Sequence, residues 1–362
     1  RPKTRATFTA FGMTKRSGRS AANDDVLAAV LNAGTPAVCL VGKTHDFHVR
    51  TALGVLLEEN VENIRASIAH VVAQGREALF DAEHFFDGYK SNPAYALSCL
   101  KAAAEAGARW IVLCDTNGGT LTSELLAILA DTRGSLDGDP DAPAVTWGIH
   151  THNDAELAVA NSIAAVQAGV RHVQATINGY GERCGNANMV SILANLALKT
   201  ELPLLPAGGG DVTDLTNLSR TVAEIANQVP NDYQPYVGRS AFAHKGGVHG
   251  AAVAKVERSY QHVDPTTIGN QGRLVVSELG GKANTRIRAE QLGHHLEGVV
   301  DPQTLSRLIK QLEADGASFE GAEASFELLI QRNTPGYEAP FRIVDYTCLV
   351  EQRSGRELLA EA

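Results

Sequence analysis

Hydrophobic and polar positions alternate in blocks along the first two hundred residues. A short apolar or β-branched run ends in polar residues, and an Ala-rich stretch with helical spacing follows. The runs are predicted strands and cover 6–10, 37–41, 78–81, 109–114, 145–149 and 173–177. The stretches between them are predicted helices and cover 23–33, 61–74, 93–106, 123–131, 155–168 and 187–198. Gly34, Gly75, Gly107 and Gly169 stand where left-handed helix caps belong. Strands alternating with helices imply a parallel sheet covered by helices.

A closed (β/α)8 barrel and a doubly wound open sheet both satisfy that pattern. No GxGxxG or GxxxxGK[ST] follows the first strand, so the nucleotide-binding signature of the open sheet is missing. Polar residues gather instead after nearly every predicted strand: Glu83 and His84, Asp115 to Asn117, His150 to Asp154, and Asn178 to Asn186. A site assembled from many strand ends is what a barrel builds, whereas an open sheet concentrates its site at one switch point. The expected fold is therefore an α/β TIM barrel, with six of its eight units visible in residues 1–200. Units recur about every 33 residues, so roughly 65 residues are wanting against an ordinary barrel of ~250. We expect the first two β/α units to be absent from this chain, leaving open edges at its first and last strands.

Residues 201–212, with Pro203, Pro206 and three consecutive Gly, read as a linker. A smaller, mainly helical accessory subdomain is expected over 213–335. It opens with a helix in 211–230, passes through a loop-rich stretch at 231–284, and carries helices at 302–314 and 322–331. Residues 341–351 alternate like a strand, and 336–362 read as the start of a further domain.

A formal charge of −9 without any Lys/Arg block speaks against nucleic acid and membrane as partners. The longest apolar runs, such as 110–114, are far too short to cross a bilayer. Five scattered cysteines, odd in number and without CxxC spacing, point away from disulfides and zinc–cysteine sites and toward a reducing cytoplasm.

Chemistry concentrates at the strand ends. His150 and His152 are two apart, so both imidazoles face the same side of a strand and suit a divalent metal. The bland alternative is a pair of hydrogen-bonded loop histidines. In 178–186 three glycines permit tight turns, while Glu182, Arg183 and Asn186 offer a base, an anion clamp and a neutral oxygen ligand; alternatively the segment is a turn with a surface ion pair. Asp81 and Glu83 share one face of the third strand, where crowded carboxylates suit proton transfer. For Asp81 a buried ion pair is an equal alternative. Thr116 is placed to bind a substrate carboxylate or to serve as a helix N-cap or turn residue. His244, Lys245, His249 and Tyr260 read, on chemistry alone, as surface residues, and Cys184 as a small packing residue.

Four ordered segments carry a resemblance: 150–154 (HTHND), 178–186 (NGYGERCGN), 241–249 (AFAHKGGVH) and 277–284 (SELGGKAN). Together they resemble the isopropylmalate, citramalate and homocitrate synthase family. Segments 79–90, 114–119 and 321–329 are most similar to its citramalate branch. The resemblance implies a divalent metal (Mg, Mn or Zn) at His150, His152 and Asn186. It implies an acid–base role for Glu83, a further active-site carboxylate at Glu182, carboxylate binding at Thr116, and a catalytic pair His249 and Tyr260 on the accessory subdomain. It also implies acetyl-CoA and a small 2-keto acid as substrates, a homodimer, and a C-terminal regulatory domain of which 336–362 is a stub. The family's Arg-Asp-Gly signature, whose Asp supplies a third metal ligand, does not occur, so weak metal binding is expected of a chain beginning at Arg1. Within the class, isopropylmalate synthase is the runner-up; a hydroxyacyl-CoA lyase or a non-catalytic remnant are the readings of other classes.

Overall fold

The computed structural model of the protein describes residues 6–137, 144–204, 211–246, 249, 252–253, 255–277, 279–355 and 359–361. The chain forms two compact units, 1–238 and 239–362. The predicted linker falls largely on residues 205–210, outside the described residues.

The first unit is built on one six-stranded sheet, with strands in chain order and every neighbouring pair parallel. The strands are β1 (Thr9–Met13), β2 (Ala37–Lys43), β3 (Glu77–Glu83), β4 (Trp110–Asp115), β5 (Thr146–Thr151) and β6 (His172–Gln174). The helices around it are α1 (Asp25–Asn32), α2 (Leu57–Ala73), α3 (Phe85–Ser91), α4 (Pro93–Glu105), α5 (Thr122–Asp137), α6 (Ala158–Gln167), α7 (Met189–Lys199) and α8 (Leu215–Ile225). This is a part-barrel of six β/α units, with β1 and β6 as its edges. The sheet curls far enough for Gln174 on β6 to reach Asp81 on β3, at 2.8 Å.

The helix starts follow local chemistry. The Asp24 carboxylate accepts the N–H groups of Val26 and Leu27, both at 3.0 Å, and so caps α1. Asn92 caps α4 in the same way, with Pro93 at its first position. All four glycines expected as caps have positive φ: Gly34, Gly75, Gly107 and Gly169.

Register fixes which residues face outward. Val38, Leu40, Phe80, Ala82, Ile111, Leu113 and Ile149 alternate onto the helix side and are fully buried in the main core with Ile64, Ile68, Leu100 and Leu125. Burial of each large side chain there contributes about 1.5–3 kcal/mol. Helix α2 packs so closely that a Cβ on Gly42 would sit 2.8 Å from the Phe80 ring and 3.2 Å from Ile64.

Three local expectations are corrected. Strand β1 begins three residues later than 6–10, at Thr9, because its pairing with β2 runs from Thr9 opposite Ala37 to Met13 opposite Val41. Its Phe11 remains 64% exposed on the open edge. Strand β6 stops at Gln174, short of 177, because the chain turns at 177–179 with Asn178 in a left-handed conformation. Residues 341–351 are strand only at Leu349–Glu351, which pairs antiparallel with Leu359–Glu361; Phe341, Ile343, Val344 and Tyr346 are exposed, so no buried face holds the rest extended.

The second unit has a two-residue parallel pairing, β7 (Ala243–His244) with β8 (Arg273–Leu274), and helices α9 (Lys282–Gln291), α10 (Pro302–Ala314) and α11 (Glu323–Arg332). Its core gathers Val276, Ala289, Leu296, Leu305, Ile309, Phe326 and Ile330. No helix among the described residues is long and apolar enough to cross a membrane.

Candidate active site

The inner face of the curled sheet is apolar around Ala37, Cys39 and Leu79 and turns polar toward the C-terminal ends of its strands. At the end of β5, His150 and His152 point the same way, and their Nε2 atoms lie 3.2 Å apart. The antiparallel bridge between His152 and Asn186 lays the 178–186 segment across them. Asn186 Oδ1 is buried and, among the described residues, has no hydrogen-bond partner; the same is true of His152 Nδ1. Gly181 permits this, since a Cβ there would collide with Asn186 Oδ1. Burial, then the neighbouring His150, lowers the pKa of His152, favouring the neutral ring that binds cations.

No group of three His, Cys, Asp or Glu that could hold a metal occurs among the described residues. The donor set is instead two imidazoles and an amide oxygen. An orphaned buried carbonyl beside two converging imidazole nitrogens fits a divalent cation with open positions.

Lys43 and Glu83 close the ends of β2 and β3 side by side, and their Nζ and Oε2 are 2.6 Å apart. The ion pair therefore belongs to Glu83. Asp81, two residues earlier, is buried and takes the Cys39 thiol at 3.1 Å and the Gln174 amide at 2.8 Å. Burial raises its pKa against those two donors. Thr116 Oγ1 accepts the His84 N–H at 2.8 Å, which leaves its own proton available for an anion. His84 has φ 59° and stacks on His48 with ring centroids 3.9 Å apart. Burial, then the nearby His48, pushes His84 down to about 4. A cavity of about 310 Å³ adjoins Lys43, lined by Met13, Thr14, Lys15, Asn60 and Asn63.

Arg183 grips Asp154 in bidentate fashion, at 2.7 and 2.9 Å, and donates to the Thr116 carbonyl at 2.8 Å. It thus ties the loops after β4, β5 and β6 together. Glu182 projects into solvent, with 86% of its side chain exposed. Cys184 is exposed and not a packing residue, because its loop is held by Arg183 and by backbone bonds around Gly185. In the second unit His249 stacks on Tyr260 at a centroid distance of 4.3 Å, both exposed.

The structure thus brings His150, His152 and Asn186 together, and sets Glu83 and Thr116 at neighbouring strand ends. Lys43, His48 and Gln174 were not singled out as functional from the sequence, and His84, counted among the strand-end polar residues, was given no role. Extending β2 by two residues would have placed Lys43 on the inner face with Cys39 and Val41. The alternation of His172, Gln174 and Thr176 carried the same signal on β6.

The HMGL-like family model matches residues 16–222, more than half of the chain. The chain belongs to the HMGL-like family. A second model, homocitrate synthase post-HMGL domain-like, matches 236–316. Among curated proteins, the (R)-citramalate synthase of Geobacter sulfurreducens is 47% identical over 96% of this chain and 64% of its own length. That of Synechocystis sp. is 45% identical over 95% of this chain and 62% of its own length. A 2-isopropylmalate synthase of Methylobacterium nodulans is 34% identical over 70% of this chain and 49% of its own. The chain spans under two thirds of the length of the citramalate synthases it matches. The hydroxymethylglutaryl-CoA lyase from Pseudomonas aeruginosa superposes with a TM-score of 0.51 at 14% identity, covering 71% of this chain and 77% of that one, which speaks to the barrel fold alone.

Proposed function

We propose that the protein is a cytoplasmic acyltransferase that condenses acetyl-CoA with a small 2-keto acid, with pyruvate as the preferred acceptor and citramalate and CoA as products. The carrying observation is that His150 Nε2 and His152 Nε2 lie 3.2 Å apart at the mouth of the sheet, with Asn186, whose Oδ1 has no partner among the described residues, bridged to His152 through the backbone. Similarity to the (R)-citramalate synthases supports the choice of reaction. Those three residues would hold a divalent cation, Mg, Mn or Zn. When bound, such a cation supplies Lewis-acid polarisation of the keto group.

The chain's own residues then divide the work. Thr116 offers a hydroxyl proton to the keto acid's carboxylate. The Lys43–Glu83 pair holds a proton at the oxygen that becomes the product's hydroxyl. His249, stacked on Tyr260, takes the proton from the acetyl methyl group, whose electron pair forms the new carbon–carbon bond. Arg183, fixed by Asp154, orders the loop that carries Glu182, a further carboxylate of the proposed site. A homodimer is the assembly this reading expects, and sedimentation checks it.

The test is acetyl-CoA-dependent CoA release with two acceptors. A higher kcat/KM for pyruvate than for 2-ketoisovalerate is expected. One or two methyl groups are worth only about 1–3 kcal/mol, so the preference should be about 10- to 200-fold. The opposite order would move the assignment to isopropylmalate synthase, and release with neither acceptor would remove the synthase reading.

A further inference from the structure

His150 is held from behind as well as presented in front. Its Nδ1 lies 2.8 Å from Gln174 Oε1. The other end of that amide, Nε2, donates to Asp81 Oδ1 at 2.8 Å, and the Cys39 thiol approaches the same oxygen at 3.1 Å. Asp81 and Cys39 are each 4% exposed, so little solvent is at hand to satisfy a misdirected group.

We propose that Asp81 and Gln174 are positioning residues that lock His150 in its Nδ1–H tautomer. The argument is one of donors and acceptors. Two donors converge on Asp81 Oδ1, so that oxygen accepts, and Gln174 must turn its NH2 end toward it. The remaining Oε1 can only accept, so the proton of neutral His150 sits on Nδ1 and its lone pair on Nε2, facing the mouth. Turning the amide over would set an oxygen against the Asp81 oxygen. His152 has no comparable anchor: its Nδ1 is unpartnered among the described residues, and its Nε2 lies 3.2 Å from the His150 Nε2. Without metal, His152 therefore carries its proton on Nε2 and donates it to His150. The two histidines are opposite tautomers, one fixed and one free to change.

The tautomers of the metal-free protein are independent of the function proposed above; only their use in ligation rests on it. Long-range 1H–15N correlation spectra of histidine-labelled, metal-free protein read the tautomers directly, with signals assigned by loss in His150→Gln and His152→Gln. Nδ1–H is expected at His150 and Nε2–H at His152. Gln174→Leu and Asp81→Asn should each turn His150 into a mixture. The double variant Asp81→Asn/Gln174→Glu reverses the bond between β3 and β6 and keeps the one to the ring: the amide introduced on β3 donates to the carboxylate introduced on β6, whose other oxygen accepts from the imidazole. It should restore Nδ1–H. A parallel Co(II) titration should show about 10- to 100-fold weaker binding in Gln174→Leu, recovered in part in the double variant. An unchanged single tautomer in folded Gln174→Leu, or a folded double variant that stays mixed, overturns the proposal. If the tautomers follow expectation and the parent binds no Co(II), the hydrogen-bonded chain stands and the metal reading falls.

Discussion

On the helix side of the sheet, Leu40, Phe80, Ile111 and Ile149 sit in a sealed apolar layer. One residue away along the same strands, on the inner side, stand Cys39, Asp81, Cys114 and His150. Because side chains alternate with period two, each strand serves both layers. The outer layer needs only volume and apolarity, so stability resides there. On the inner layer every polar group needs a specific partner, and groups left without one, such as Asn186 Oδ1, mark where a ligand fits.

Substitutions on the two faces should separate accordingly. Phe80→Ala, at a fully buried outer position, should lower the unfolding free energy in urea by about 3–5 kcal/mol. Gly42→Val overfills the contact with Phe80 and Ile64 and should cost about 1–3 kcal/mol by the same measurement. Asp24→Ala removes the α1 cap together with the Arg16 contacts and should cost about 1–2 kcal/mol at neutral pH. That loss should vanish in acid. Burial raises the Asp24 carboxyl, but the N–H groups of Leu27 and Arg16 and the Arg16 guanidinium outweigh it and hold the pKa at about 2. A lowered acid pKa stabilises the fold fully above the unfolded value of 3.8, and the contribution disappears as pH falls toward 2.

The polar residues at the strand ends respond to pH and to the loss of single rings. His84, with its pKa lowered from 6.5 to about 4, binds its proton more weakly folded than unfolded. Its contribution is present above pH 6.5 and is lost as pH falls to about 4, so a His84→Phe variant should flatten the stability profile across that window. His152→Ala should change stability by only about 1 kcal/mol, since the ring's Nδ1 has no partner among the described residues and its Nε2 has the single bond to His150 to lose.

The fold was legible because both periodicities are strong. The strand–helix alternation located every strand of the sheet, and the glycine caps placed the helix ends. What escaped lay at edges: β1 and β6 each have one neighbour, so pairing rather than composition set their ends. In the site, the spacing of His150 and His152 was readable, but the partners of Glu83 and Asp81 were not. Lys43 lies on another strand, and Gln174 reaches Asp81 only because the sheet curls, a contact 93 residues apart that no local pattern encodes. Asp81 and Glu83 looked alike in sequence; cross-sheet contacts make one a buried acceptor and the other half of an ion pair.

Calorimetric titration of the purified protein with Mn(II) in the presence of pyruvate tests the inner-face site most directly. Saturable binding at one site per chain is expected in the parent and in Cys184→Ser, a change at an exposed position, with at least about a tenfold loss in His150→Ala and His152→Ala variants that remain folded. Binding that survives both histidine substitutions in folded protein would contradict the account.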